Sequence, residues 1–138
     1  MFLLDTNVVS ELRKIRVGKA DSHVVRWAEG QDTASLFLSA ITIHELEIGV
    51  SLAERRDSQK GAALRTWLEA QVLPVFEGRI LPVDIAVGRR AAQLHIPNPR
   101  PINDAFLAAT AIVHGMVLVS RNTADFQGCG VSLFNPWL

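Results

Sequence analysis

The feature that most narrows the fold is the alternation of short apolar runs with longer stretches of helical period. Phe2–Leu4 and Met116–Ser120 are nearly uninterrupted apolar runs, the pattern of strands buried on both faces of a parallel sheet. Ala34–Leu38 has the same character, and Arg79–Val83 reads as a strand despite Pro82. Val131–Phe134 adds a candidate last strand before Pro136. Apolar spacing predicts helices between them. One runs through Val8, Val9 and Leu12 with Thr6 or Asn7 as cap, and a second opens at Ser22 and closes at Gly30. A third starts at Thr42 and carries Ile43, Leu46 and Val50. A fourth, capped by Asp57 or Ser58, carries Leu64, Trp67, Leu68 and Val72 and stops at Pro74. Ile85–Leu94 and Asp104–His114 are the last two, the latter capped by Asn103 and ended by Gly115. Three prolines make 96–101 a loop. With no repeat or linker, this order predicts one α/β domain over residues 1–138, with a mostly parallel central sheet flanked by helices.

The chain has 138 residues, of which 49% are apolar and 20% charged, so it is long enough and apolar enough to bury a real core. Fourteen basic residues balance fourteen acidic ones. Net charge therefore neither indicates nor excludes a nucleic-acid partner, because only local distribution matters to a binding face. The single cysteine, Cys129, rules out an intrachain disulfide and points to a reducing compartment. No basic leader, secretory cleavage pattern or membrane-length apolar stretch is present, so the expected location is the cytoplasm, with no membrane partner.

Acids recur at the edges of the apolar elements. Asp5 ends the first strand, Glu45 lies in the first turn of the helix after the second, Asp104 opens its helix, and Asp125 follows the apolar run 116–120. In open α/β sheets ligands bind outside the carboxyl ends of the strands, and all four acids map to that edge. Two unit charges ~6 Å apart repel by ~3 kcal/mol at an effective dielectric of ~20. Several such pairs need protonation or a shared cation. Hard oxygen ligands without a His or Cys cluster favour Mg²⁺ or Mn²⁺. Each acid also has a structural reading. Asp5 can cap the following helix, although Thr6 and Asn7 look better placed. Thr42 and Glu45 match a capping box. Asp104 suits the positive end of a helix, and Asp125 suits a turn. Taken together, the metal-site reading accounts for all four.

Four blocks carry a resemblance: LLDTNVVSEL, LSAITIHELEIGV, INDAFLAATA and LVSRNTADF. In this order they resemble the motif blocks of PIN-domain ribonucleases, and more narrowly the VapC-type toxins of bacterial type II toxin–antitoxin systems. ILPVD and FNPW resemble the FitB-like branch. The resemblance runs from Met1 to about Trp137 and implies a PIN-like three-layer fold. It implies that Asp5, Glu45, Asp104 and Asp125 coordinate Mg²⁺ or Mn²⁺ and hydrolyse RNA, with Thr6, Ser120 and Asn122 orienting ligands or water. Several relatives carry an acid where this chain has Asn122, so a second ion would depend on Asp125. The implied partners are RNA, a cognate antitoxin, a homodimer, and a heterotetramer or larger assembly that meets operator DNA only through the antitoxin. The helices bearing Ile43, Leu46, Val50 and Leu64, Trp67, Leu68 are candidates for the antitoxin groove, or for ordinary core.

Other residues weigh less. Arg13, Lys14, Arg16 and Lys19 form a basic cluster that would suit a phosphate backbone or merely a solvated helix end. Arg121 adjoins the acid loop and is a possible RNA contact. The four histidines match no ligand spacing. Two rival functions stand beside the nuclease. An aspartyl phosphotransferase would use Asp5 as nucleophile, but Asn7 occupies the place where such enzymes need a second acid. A weakly active PIN module would act mainly within a DNA-binding repressor complex.

Overall fold

In the computed structural model, which describes all 138 residues, five strands form one sheet in the order β3-β2-β1-β4-β5. They are β1 (Phe2–Leu4), β2 (Leu36–Ser39), β3 (Ile80–Leu81), β4 (Val117–Val119) and β5 (Leu133–Phe134), and every pairing is parallel. Six α-helices surround them: α1 (Thr6–Arg13), α2 (Ser22–Glu29), α3 (Ala40–Arg56), α4 (Ser58–Trp67), α5 (Ile85–Leu94) and α6 (Ile102–His114). A π-helical turn, Leu68–Val72, prolongs α4 up to Leu73 and Pro74. The expected α/β architecture is present, and its sheet is entirely parallel. No helix is long and apolar enough to cross a membrane.

The three layers follow from the pleat of β1. Successive strand residues point to opposite faces, so Leu3 and Leu4, both wholly buried, feed different cores. Leu4 joins Val8, Leu38, Leu46, Val50 and Val119 beneath α1, α3 and α4. Leu3 joins Leu107, Ala108, Ala111 and Leu118 beneath α6. The alanine-rich face of α6 also lets α5 approach closely, with Ala105 and Ala109 against Val87 and Ala91. The chain builds outward from β1 to β2 and β3, then returns to place β4 on the other side of β1. This reversal leaves a crevice beyond the ends of β1 and β4, where a ligand site is expected.

The starts of α1 and α3 differ from the sequence reading because the capping side chain lies earlier, and that of α6 differs because a proline precedes it. Asp5, rather than Thr6 or Asn7, caps α1, whereas α2 opens at Ser22 as expected, capped by Asp21. Ser39 caps α3 through the Ile41 N–H, so the proposed capping box does not form. Thr42 is wholly buried and its hydroxyl has no hydrogen-bond partner. Helix α6 begins at Ile102 after Pro101, which puts Asn103 inside the helix instead of at its cap. The stretch 34–38 splits into a 3₁₀ turn at Thr33–Ser35 and strand β2. The end of α6 is as expected: Gly115 adopts φ 66°, which a side chain would strain.

Helices α3 and α4 form a tight hairpin. Arg65 bridges Glu47 at 2.9 Å and Glu54 at 3.0 Å, which raises the guanidinium pKa further through those hydrogen bonds. Gly61 sits where the helices touch, and a Cβ there would lie 2.3 Å from Glu54 Cα. Gly61→Ala therefore sets two effects against each other. Helix propensity favours alanine by ~1 kcal/mol, whereas overpacking against backbone costs ~1–3 kcal/mol. The clash is with backbone, so the variant is expected to lower the urea midpoint with an unchanged m-value. A raised midpoint would show that the crossing relaxes freely.

Candidate active site

The crevice at the β1–β4 reversal is built on Asp5. Its backbone N–H extends the sheet ladder to the Val119 carbonyl at 2.9 Å, which fixes the residue at the lip of the sheet. Its Oδ1 accepts the Thr6 N–H at 2.7 Å. Its Oδ2 accepts the Ser120 hydroxyl at 2.7 Å and the Asn7 amide at 3.3 Å. Ser120 is fully buried, and its oxygen also accepts the Asn122 N–H at 3.0 Å. Asn7 Oδ1 in turn accepts the Arg121 N–H at 3.2 Å. One carboxylate thus ties together the end of β1, the start of α1 and the loop after β4.

Glu45 lies in α3, and its structural reading as a capping residue fails because Ser39 holds that position. Its Oε1 accepts the Thr6 hydroxyl at 2.6 Å and its Oε2 the Asn103 amide at 3.3 Å. It is therefore held toward α1 and α6, away from its own helix end. Asp104, the third residue of α6, is half-buried and receives no hydrogen bond that would stabilise its charge. Asp125 is exposed on a 3₁₀ turn, Thr123–Phe126, whose backbone closes onto Asn122 at 3.1 Å. Asn122 contributes backbone to this turn.

The charges act on one another. Burial raises the Asp5 carboxyl above its ordinary value, the bonds from Ser120 and Thr6 oppose that rise, and repulsion from Glu45 and Asp125 adds to it. Burial also raises Asp104, followed by repulsion from Asp5, Asp125 and Glu45. The four acids therefore occupy one electrostatic neighbourhood. They are not drawn into a group of three or more at ligand distance. None is within 4.0 Å of a Lys, Arg or His nitrogen, although five such pairs form elsewhere. A set of hard oxygen donors that repel one another without a basic partner fits a divalent cation.

Two residues mattered more than the sequence suggested. Asn7 and Asn103 each donate an amide to a carboxylate of the site. Their signal was adjacency, since each lies within two residues of a candidate acid. Arg121 offers no balancing charge to the acids, because its guanidinium carbon stacks 5.3 Å from the centroid of the Trp137 ring. Of the groove candidates, Leu46, Val50 and Leu68 are buried core, while Ile43, Leu64 and Trp67 are half-buried beside it.

Comparison with known proteins identifies the family of this fold. Residues 2–128 match the PIN domain family. The chain is 37% identical over 142 residues to VapC ribonuclease Y4jK of Sinorhizobium fredii, covering 99% of this chain and 98% of that protein. It is 38% identical over 143 residues to Toxin FitB of Neisseria gonorrhoeae, covering 99% of each. A solved structure of FitAB bound to an IR36 DNA fragment matches with a TM-score of 0.89 at 36% identity, covering 100% of this chain and 96% of that one. From its sheet, its motif order and these full-length likenesses, the chain belongs to the PIN domain family, alongside FitB toxin and VapC ribonuclease.

Proposed function

We propose that this protein is a metal-dependent endoribonuclease, the toxin of a type II toxin–antitoxin system, working in the cytoplasm with Mg²⁺ or Mn²⁺. The observation that carries the reading is the crevice at the β1–β4 reversal, where Asp5, Glu45, Asp104 and Asp125 repel one another with no cationic side chain among them. A bound divalent cation would neutralise that charge, polarise the scissile phosphate and favour ionisation of a water.

The chain's own residues set up the attack. Ser120, Asn7 and the Thr6 N–H orient Asp5, leaving part of its acceptor capacity for the ion. Thr6 and Asn103 pin Glu45 so that it faces the same crevice. Asp104 has no protein donor on its oxygens and a raised pKa, which suits it to take the proton from the attacking water. The water oxygen adds to phosphorus as the opposite phosphorus–oxygen bond breaks. Asp125 supplies the outer charge of the site. The neutral Asn122 contributes its backbone and, we infer, helps to position water. Arg121, exposed and stacked on Trp137, would contact the RNA in this reading.

The solved FitAB structure bound to a DNA fragment supports a cognate antitoxin and operator DNA as partners; the DNA would be met only through the antitoxin, and the proposed assembly is a homodimer within a heterotetramer or larger. It also supports a second role as part of a repressor complex. The presence of all four acids favours catalysis as the primary one.

Two outcomes are expected. Purified protein should cleave RNA with Mg²⁺ or Mn²⁺ and stop in chelator, and Asp104→Asn should lower the rate by ~100-fold or more while keeping the fold. Cleavage that persists without metal would contradict the mechanism. The second concerns stability in chelator. A carboxyl whose folded pKa is raised contributes stability below its unfolded value, near 3.8, and loses it as pH rises through the folded value. At neutral pH the ionised Asp104 is therefore a burden. Asp104→Asn should melt higher than the parent there. Mg²⁺ should raise the parent's melting point more than the variant's. An unchanged or lower melting point for the variant in chelator would show that the site carries no such repulsion.

A further inference from the structure

Arg13, Lys14, Arg16 and Lys19 are adjacent in sequence, but the fold separates their roles. Lys14 is paired with Glu11 at 3.1 Å, and Glu11 is itself held by the Asp21 N–H at 2.8 Å. Arg13 and Arg16 instead line a groove between the end of α1 and helix α4, where Lys60 joins them. The groove encloses about 410 Å³, and no acidic residue lines it. None of these three cations has a carboxylate within 4.0 Å. Arg13 is steadied against Trp67, its guanidinium carbon 5.9 Å from the ring centroid.

This groove does not end blindly. A second hollow of about 210 Å³ shares Arg13, Leu64 and Trp67 with the first and continues to Thr6 and Glu45. The two adjoining hollows share a wall and together form a channel that runs from Glu45 to three cations without acidic partners. A cluster of cations with no countercharge gains most from a polyanion, and this one adjoins Glu45 of the proposed site.

We infer that this channel holds the single-stranded RNA flanking the scissile phosphate, with Arg13, Arg16 and Lys60 contacting successive stretches of its backbone. The inference rests on the nuclease reading for its occupant, but it concerns binding and is tested apart from turnover. The probe is a short fluorescein-labelled single-stranded RNA, bound to the Asp104→Asn protein with Mg²⁺ and followed by anisotropy across a salt series. Arg16 and Lys60 are exposed, so Arg16→Gln with Lys60→Gln should fold normally, as a matching thermal melt verifies. Each lost phosphate contact lowers the slope of log K against log salt by ~0.7 for a single strand. The double variant should therefore flatten the slope by ~1.4 and weaken low-salt binding by about tenfold, and adding Arg13→Gln should bring the loss of slope to ~2. A control pair, Arg55→Gln with Arg89→Gln, should leave the slope unchanged.

Equal slopes for the double variant and its parent would overturn the inference. So would unchanged RNA binding together with lost binding of a helical antitoxin peptide, which would assign the channel to a protein partner. Failure here and failure of the nuclease reading are separable. A flattened slope in a protein whose parent cleaves nothing supports the channel and sinks the nuclease. Cleavage by the parent with an unaltered slope in the variant does the reverse.

Discussion

The fold and the site meet in the hydrogen bond from the buried Ser120 hydroxyl to the Asp5 carboxylate. Ser120 follows β4 and Asp5 follows β1, so this 2.7 Å contact joins the two strands on either side of the sheet's reversal point. The same carboxylate receives the first free N–H of α1. An acid at this depth is costly unless its charge is met. Ser120, Asn7 and the Thr6 N–H meet part of it, and they also fix the carboxylate's direction. What remains is repulsion from Glu45 and Asp125, which the protein does not answer with a cation of its own.

Stability is supplied elsewhere. Two cores, one on each face of the sheet, bury Leu3, Leu4, Leu38, Leu118 and Val119 completely. The α3–α4 hairpin is locked by Arg65 across Glu47 and Glu54 and by the close contact at Gly61. These regions hold the crevice open against its own charge. Under the proposed function this arrangement would exchange stability for function, since removing an acid would relax the protein while disabling the chemistry. The basic residues near α1 divide as well: Arg13 and Arg16 line the groove beside α4, while Lys14 pairs with Glu11.

Much of this was legible in the sequence. Uninterrupted apolar runs at Phe2–Leu4 and Met116–Ser120 announced a parallel sheet, and Ile85–Leu94 was bounded correctly by periodicity and turn residues alone. The candidate acids were legible because each lies at the edge of an apolar element. Asp57, the cap of α4, was legible too, but the caps of α1 and α3 were not, since Asp5 and Ser39 each compete with a neighbouring polar residue and only the local backbone path selects one. Thr42 and Glu45 have the spacing of a capping box, yet the helix starts a turn earlier and places Glu45 against Thr6 and Asn103. Those contacts span 39 and 58 residues, beyond the reach of any local rule. The division of the basic cluster was likewise hidden, because it depends on Glu11 and on the approach of α4.

The central claim is that these carboxylates are arranged to share a divalent cation. The most direct measurement is anomalous scattering from crystals of the protein grown with Mn²⁺. The account predicts a strong peak in the crevice at the β1–β4 reversal, within coordinating reach of Asp5 and Asp104 and absent from Asp5→Asn crystals. A crevice without a peak at saturating Mn²⁺, or a peak that persists unchanged in Asp5→Asn, would contradict it.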